Sequence, residues 1–196
     1  MEKPAYNDYP IIETLRQRWS PYAFAETPVA KETLLSLLEA ARWAPSCFNE
    51  QPWRFIVGSK ADDPATFDKI LSTMVEFNRG WAQHAPVLIL AVAKKTFTHN
   101  GAPNRHAPYD LGQAMGHLTI QASALGLVMH QMGGFDPVKA SEVFGLSDDF
   151  DPIAIMALGF EGSAEQLEEP LKSRHSTPER PRKALADLIL AGDNIL

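Results

Sequence analysis

Apolar residues follow two kinds of spacing along this chain, and each kind predicts one kind of secondary structure. Apolar residues three or four positions apart indicate a helix face. Helices are predicted to begin near Pro10, to carry the leucines of 34–38, to run from a cap at Asp62 or Asp63 to Phe77, and to cover 111–125, 137–144 and 185–190. Unbroken apolar runs indicate buried strands, which are predicted at residues 54–58, 87–92, 127–131 and 152–160.

The alternation of helices and apolar strands leaves two fold classes open. It is typical of parallel βαβ units, and it equally fits an α+β sheet with helices on both faces. Neither an internal repeat nor an interdomain linker is visible. A chain of 196 residues therefore predicts one domain over residues 1–196.

Residues 94–108 contain no periodic apolar positions. A structureless stretch of this length in a compact domain is often a functional lid. We therefore expect a surface loop there, and its location alone makes Asn104, Arg105 and His106 candidate substrate contacts.

Composition narrows the class of partner. The chain is 45% hydrophobic and 21% charged, with a net charge of −6, so a protein that follows nucleic acid phosphates is not expected. The longest apolar run is shorter than the ~20 residues that a membrane-spanning helix needs, and residues 1–6 lack the apolar core of a secretory leader. Cytoplasmic location follows as the expectation. The lone Cys47 and the unpaired spacing of the six histidines predict no disulfide and no metal site.

The segment 44–57 is the strongest candidate for a ligand-binding loop. Pro45 and Pro52 fix the backbone on either side of short hydrogen-bonding side chains, namely Ser46, Cys47, Asn49 and Gln51. Cys47 invites a nucleophile hypothesis. No histidine lies near it in sequence, so we interpret Cys47 as a replacement for serine.

Two arginine groups at opposite ends of the chain could bind a phosphate. Arg18 and Ser20 combine a guanidinium with a hydroxyl, and Arg180 and Arg182 add two further guanidinium groups. The simpler interpretation is a helix C-terminal charge and a solvated charged run. From the residues alone, that simpler interpretation is favoured.

Taken in order, these motifs resemble those of the FMN-dependent nitroreductase family. The segment 44–53 is similar to the family's A-P-S-S-x-N-x-Q-P-W signature, and residues 18–24 are similar to its R-R-S-x-R-x-F opening. Residues 132–135 resemble its P-x-G-G-F segment, and the pair Arg180 and Arg182 resembles its C-terminal basic pair. The resemblance extends from Ile11 to about Leu188.

The resemblance implies an α+β fold, specifically a three-layer α-β-α sandwich with a mixed, mostly antiparallel sheet, in an intertwined homodimer with two flavins at the interface. It implies that Arg18, Ser20, Arg180 and Arg182 hold the FMN phosphate and that Asn78 meets the pyrimidine edge of the ring. The full set of implied cofactor contacts is Arg18, Trp19, Ser20, Tyr22, Pro45, Ser46, Cys47, Asn49, Gln51, Asn78, Met132, Gly133, Gly134, Arg180 and Arg182.

The resemblance implies a different role for different members of this set. The loop residues of 45–51 would reach the flavin from the partner subunit, and the backbone at Gly133 and Gly134 would approach flavin N5. No side chain is expected to act as an obligatory acid or base. Asn78 could equally satisfy its own helix end, and the two glycines could form a plain turn.

Tyr22 departs from the family pattern, which has Arg or Lys at this position, near flavin N1 and C2. A tyrosine hydroxyl donates one hydrogen bond but carries no charge. We therefore expect a lower flavin reduction potential here than in a relative with a cation at this position.

The activity implied is passage of a hydride from NADH or NADPH, through FMN, to a small-molecule acceptor such as a nitroaromatic or a quinone. A dedicated dehalogenase or dehydrogenase on the same fold is an alternative. A flavin-binding or sensing protein without turnover is another, since fold alone does not fix function.

Overall fold

One antiparallel sheet of four strands forms the central layer of the protein, in a computed structural model that describes residues 3–192. The strand order across the sheet is β1-β2-β4-β3, and each strand runs antiparallel to its neighbours. The strands are β1 (Trp53–Ser59), β2 (Val87–Lys94), β3 (Val128–Met132) and β4 (Phe150–Gly159).

Seven helices are present among the described residues, together with three short 3-10 turns. The helices are α1 (Glu13–Gln17), α2 (Lys31–Arg42), α3 (Pro64–Ser72), α4 (Glu76–Ala82), α5 (Ala107–Ala124), α6 (Pro137–Phe144) and α7 (Leu171–Ser176). The 3-10 turns are Cys47–Asn49, Ala164–Gln166 and Leu185–Leu188.

Strand β2 separates two hydrophobic cores. Ile89 and its same-face neighbours pack with Leu37 of α2 and Leu118 of α5. Leu90 and the alternate residues pack with Ile70 of α3 and with α4 and α6. Successive side chains on a strand point to opposite faces, so helices cover both faces of an antiparallel sheet, and the predicted α+β three-layer sandwich is confirmed. Among residues 3–192 all strand pairs are antiparallel, so the parallel component expected of a mixed sheet is not found there.

The predicted third helix is wrong in its extent, because it is two helices. Asp63 caps α3 by accepting a hydrogen bond from the Thr66 amide at 3.0 Å. The helix then stops at Ser72, and the chain turns away to pair Met74 with Phe135. These non-local bonds break the helix and bring the start of α4 against the segment after β3.

The prediction for the C-terminal part is also wrong. In place of a helix over 185–190 there is only the 3-10 turn Leu185–Leu188, and Leu188 is 62% exposed. Helix α7 was not predicted, because its sequence LKSRHS is polar and buries only His175. The chain then returns from α7 toward α1, which positions the basic pair of the candidate site.

None of the described helices combines the length and hydrophobicity that a membrane crossing requires. Within residues 3–192, no group of three or more histidine, cysteine, aspartate or glutamate side chains is placed to hold a metal ion.

Candidate functional site

The structure brings together the two arginine groups that lie at opposite ends of the sequence. Arg18 follows the last turn of α1, and Arg180 lies beside it, donating hydrogen bonds to the carbonyl oxygens of Arg16, at 2.6 Å, and of Arg18. A cavity of about 230 Å³ opens here. Its lining includes all four predicted phosphate ligands, with Trp19, Arg174 and Lys3, and one carboxylate from Glu179.

The arginines in this cavity repel one another. Burial lowers the pKa of Arg18, and the charge of Arg182 lowers it further. Burial likewise lowers the pKa of Arg180, followed by the charges of Arg18 and Arg182. The Nε atom of Arg180 is buried without a hydrogen-bond partner. An unpaired buried donor among several cations is costly unless an anion satisfies it, so the donor set fits a phosphate group.

A second cavity, of about 400 Å³, shares Arg18 and Ser20 with the first. The Arg18 guanidinium lies 3.4 Å from the Ser20 hydroxyl, and both residues line this cavity. The rest of the lining is largely apolar and comes from α1, α5 and β3: Leu15, Gly116, Thr119, Ile120, Met129 and Gln131. The two cavities together suit a ligand with an anionic end and a larger, less polar body.

Asn78 and Gly134, both predicted contacts, lie against each other. The Asn78 side-chain amide donates to the Gly134 carbonyl at 3.1 Å, and the Val75 amide donates to the same oxygen at 3.1 Å. A Cβ on Gly134 would come within 2.3 Å of the Asn78 amide nitrogen. Gly133 instead faces open space, so its backbone is accessible to a ligand. Met132 is buried in the core next to α3 and α4, which leaves only its backbone for such a contact.

Tyr22 is held in an aromatic cluster. Its ring meets Trp81 at 5.3 Å and His130 at 4.8 Å between centroids. The His130 Nδ1 lies 2.9 Å from the Pro21 carbonyl oxygen, and burial lowers the pKa of that histidine. Tyr22 follows Ser20 by two positions but is not among the residues that line the two cavities described above.

The loop of residues 44–53, called the signature loop below, has a strained backbone. Phe48, Asn49 and Gln51 all have positive φ, at 53°, 55° and 52°, a conformation that costs free energy in residues other than glycine. Hydrogen bonds hold it there: the Gln51 amide donates to the Ser46 hydroxyl at 3.0 Å, and the Cys47 amide donates to the Asp110 carboxylate at 3.0 Å. Pro45, Asn49 and Gln51 are exposed.

The loop also connects to residues 95–106. Glu50 accepts from the backbone amide and the hydroxyl of Thr98, and Lys94 lies 3.6 Å from the same carboxylate. The hydrogen bond from Thr98 is the main reason that the pKa of Glu50 is lowered. The lining of the arginine cavity includes no residue of 44–53. The loop precedes β1 and Gly133 follows β3, and these two strands form opposite edges of the sheet.

The structure assigns Asn104 a structural role that its sequence position did not suggest. Only 4% of it is exposed, and its side-chain oxygen accepts from the His106 amide at 3.0 Å, next to the start of α5. Asp110, Glu50 and Lys3 shape the site and were missed. Asp110 follows a helix start and Glu50 lies within the signature loop, so position could have pointed to both, whereas nothing in the sequence marks Lys3.

Comparisons with known proteins identify the family and the fold. The model of the nitroreductase family matches residues 15–160. A Streptomyces coelicolor protein whose name includes NADH dehydrogenase/NAD(P)H nitroreductase is 31% identical over 157 residues, covering 70% of this chain and 76% of that protein. A Thermus thermophilus NADH dehydrogenase is 28% identical over 176 residues, covering 74% and 83%.

Among solved structures, a crystal structure of an oxidoreductase containing FMN superposes with a TM-score of 0.88. It is 35% identical and covers 95% of this chain and 93% of that one. The family match and these relatives identify the protein as an oxidoreductase. The chain belongs to the nitroreductase family.

Proposed function

We propose that this protein is an FMN-dependent oxidoreductase that takes electrons from NADH or NADPH and delivers them to a nitroaromatic or quinone-type acceptor. The observation that carries the proposal is the cavity where Arg18, Ser20, Arg180 and Arg182 converge, with a buried Arg180 Nε still in need of an acceptor. The FMN in the similar crystal structure and the nicotinamide in the relatives' names support the same choice.

When bound, FMN supplies hydride acceptance and donation at N5. The protein's contribution is binding and orientation. Arg18, Arg180 and Arg182 would hold the phosphate by charge-assisted hydrogen bonds with the Ser20 hydroxyl. Asn78 and the backbone at Gly133 and Gly134 would orient the ring. We also propose that the reaction takes place in the cytoplasm, where NADH and NADPH are available as electron donors.

We also propose a homodimer in which each signature loop completes the partner's flavin site. Two observations support it: no residue of the loop is in the lining of the arginine cavity of its own chain, and the apolar Ile12 and Leu15 of the α1 region are 62% and 43% exposed. Burial of such side chains between two copies would stabilise the dimer.

Complementation tests this arrangement. Arg180→Ala and Asn49→Ala variants would each have two defective sites as homodimers. A mixed dimer with one copy of each has one site built wholly from wild-type parts, provided that each site draws its arginine and its loop from different chains. Recovery of activity on mixing supports the proposal, whereas mixed dimers as inactive as the parents would contradict it.

Steady-state oxidation of NADH and NADPH by the FMN-loaded protein, with a quinone and then a nitroaromatic as acceptor, tests the reaction itself. Turnover with either acceptor supports the proposal. Tight FMN binding without turnover would favour the binding or sensing protein, and turnover confined to another acceptor class would favour a dedicated dehalogenase or dehydrogenase.

A further inference from the structure

Lys3 lies in the wall of the arginine cavity although it comes from the N-terminal segment. Only 4% of the residue is exposed. Its ammonium donates to the backbone carbonyl of His175 in α7 and lies 4.1 Å from the centroid of the Trp19 ring. An ammonium group so deeply buried is unusual, because removing its charge from water is costly.

The contacts of Lys3 tie three parts of the chain together at the cavity. His175 contacts Trp19, with ring centroids 4.9 Å apart, and its Nδ1 accepts from the Tyr22 and Ala23 amides at 3.3 and 3.4 Å. Lys3 therefore clamps α7 to the extended segment that carries Trp19 and Ser20. The same segment supplies one wall of the cavity.

The charge of Lys3 adds to that of the arginines. The carbonyl and the aromatic ring that contact its ammonium are both neutral, so the Glu161 carboxylate is the negative charge that acts on it most strongly among those described. Burial lowers the pKa of Lys3, Glu161 raises it, and the charge of Arg180 lowers it again. A phosphate dianion in the cavity would relieve the repulsion between Lys3 and Arg180, while an uncharged ligand end would not.

We propose that Lys3 is a positioning residue of the anion site, which holds the Trp19 wall in place and adds a buried positive charge that favours a phosphate-bearing flavin over the same flavin without phosphate. This inference rests on the proposed function and deepens it. Lys3 acts through the shape and field of the cavity, and it does not touch the reacting atoms.

The test compares FMN with riboflavin, which has the same ring and no phosphate. Dissociation constants for both are measured by flavin fluorescence for the wild type, Lys3→Gln and Lys3→Arg. Lys69→Gln, which removes an exposed lysine from α3, is the matched control. We expect Lys3→Gln to weaken FMN about tenfold with riboflavin affinity unchanged, Lys3→Arg to restore FMN binding, and Lys69→Gln to change neither.

A second readout uses inorganic phosphate alone and the flavin-free protein. Phosphate should raise the Tm of the wild type and of Lys3→Arg more than that of Lys3→Gln. An equal loss of FMN and riboflavin affinity in Lys3→Gln would show a merely structural residue and overturn the inference, as would unaltered FMN affinity. A wild type that binds neither flavin would instead overturn the proposed function, and this inference with it.

Discussion

The side-chain amide of Asn78 donates a hydrogen bond to the carbonyl oxygen of Gly134 at 3.1 Å, across 56 residues of sequence. This bond joins α4 to the segment after β3, and the Val75 amide strengthens the junction by donating to the same oxygen. A side chain at position 134 would overlap the Asn78 amide, which would then have to leave this hydrogen bond. The two residues therefore form one unit at the predicted ring end of the flavin site.

Substitution of Gly134 by alanine should disrupt this unit. The added Cβ would meet the Asn78 amide nitrogen at 2.3 Å and Val75 at 3.1 Å, so Asn78 must move. We expect a loss of about 1–3 kcal/mol in unfolding free energy and weaker FMN binding, measured by denaturant titration and flavin fluorescence. Gly80→Ala is the control, because that exposed helical glycine has open space around it and alanine there should be neutral or slightly stabilising. Equal stability of the two variants would contradict the prediction.

Replacement of Arg180 or Arg182 by alanine should release FMN. Each guanidinium would contribute charge-assisted hydrogen bonds to the phosphate worth roughly 1.5–3 kcal/mol, which corresponds to an affinity loss of about 10- to 150-fold. Equilibrium dialysis of each variant against FMN measures the loss. Full flavin occupancy in the double variant would mean that the phosphate lies elsewhere.

Tyr22→Arg should raise the reduction potential of the bound flavin. A cation near flavin N1 stabilises the reduced anion, and about 1–2 kcal/mol of such stabilisation corresponds to about 20–40 mV for a two-electron couple. Tyr22→Phe, which preserves the ring contacts with Trp81 and His130 but adds no charge, is the control. Redox titration against a reference dye measures the potential, and a Tyr22→Arg value equal to wild type would refute the expectation.

Stability should fall as the pH drops below the ordinary pKa of histidine. Burial lowers the pKa of His175 from 6.5, Glu161 raises it, and Lys3 lowers it. Since the unfolded imidazole takes up a proton near 6.5 while the folded one stays neutral, the free energy of unfolding decreases from that pH down to the folded-state pKa. His130, whose pKa burial also lowers, acts in the same direction.

Denaturant melts between pH 8 and pH 5 check this dependence. His175→Asn keeps an acceptor for the Tyr22 and Ala23 amides but cannot be protonated in this range, so its stability should change less with pH than that of the wild type. His117→Gln removes an exposed histidine and should leave the slope as it is. A slope in His175→Asn as steep as that of the wild type would rule out His175 as its source.

Local pattern was enough to predict the strands and the helices that pack against them. Residues 87–92 were predicted as a buried strand, and they form most of β2. The unbroken apolar run is by itself enough to predict a strand that is buried on both faces. Helix α6 begins at Pro137 and ends at Phe144 as predicted, since Asp136 caps it and Gly145, with φ of 60°, ends it.

Elements governed by distant contacts could not be predicted in this way. Met74 and Phe77 continue the apolar spacing of α3, yet the bridge from Met74 to Phe135 ends that helix early. Leu188 continues a helical pattern too, but it is 62% exposed and lacks the packing that stabilises a helix.

The candidate site likewise contains residues that motifs predict and residues whose role depends on distant contacts. Arg18, Ser20, Arg180 and Arg182 were predicted through the family resemblance, and the structure brings them to one cavity. The hydrogen bonds from Arg180 to backbone carbonyls and the burial of Lys3 depend on how the two ends of the chain pack together. A local sequence motif does not predict that packing.

The central claim is tested most directly by the visible spectrum of the purified protein loaded with FMN, before and after NADH or NADPH is added without oxygen. We predict the absorption of a protein-bound oxidised flavin, which bleaches when either nicotinamide is added. Flavin that stays free in solution, or bound flavin that neither nicotinamide bleaches, would contradict the account.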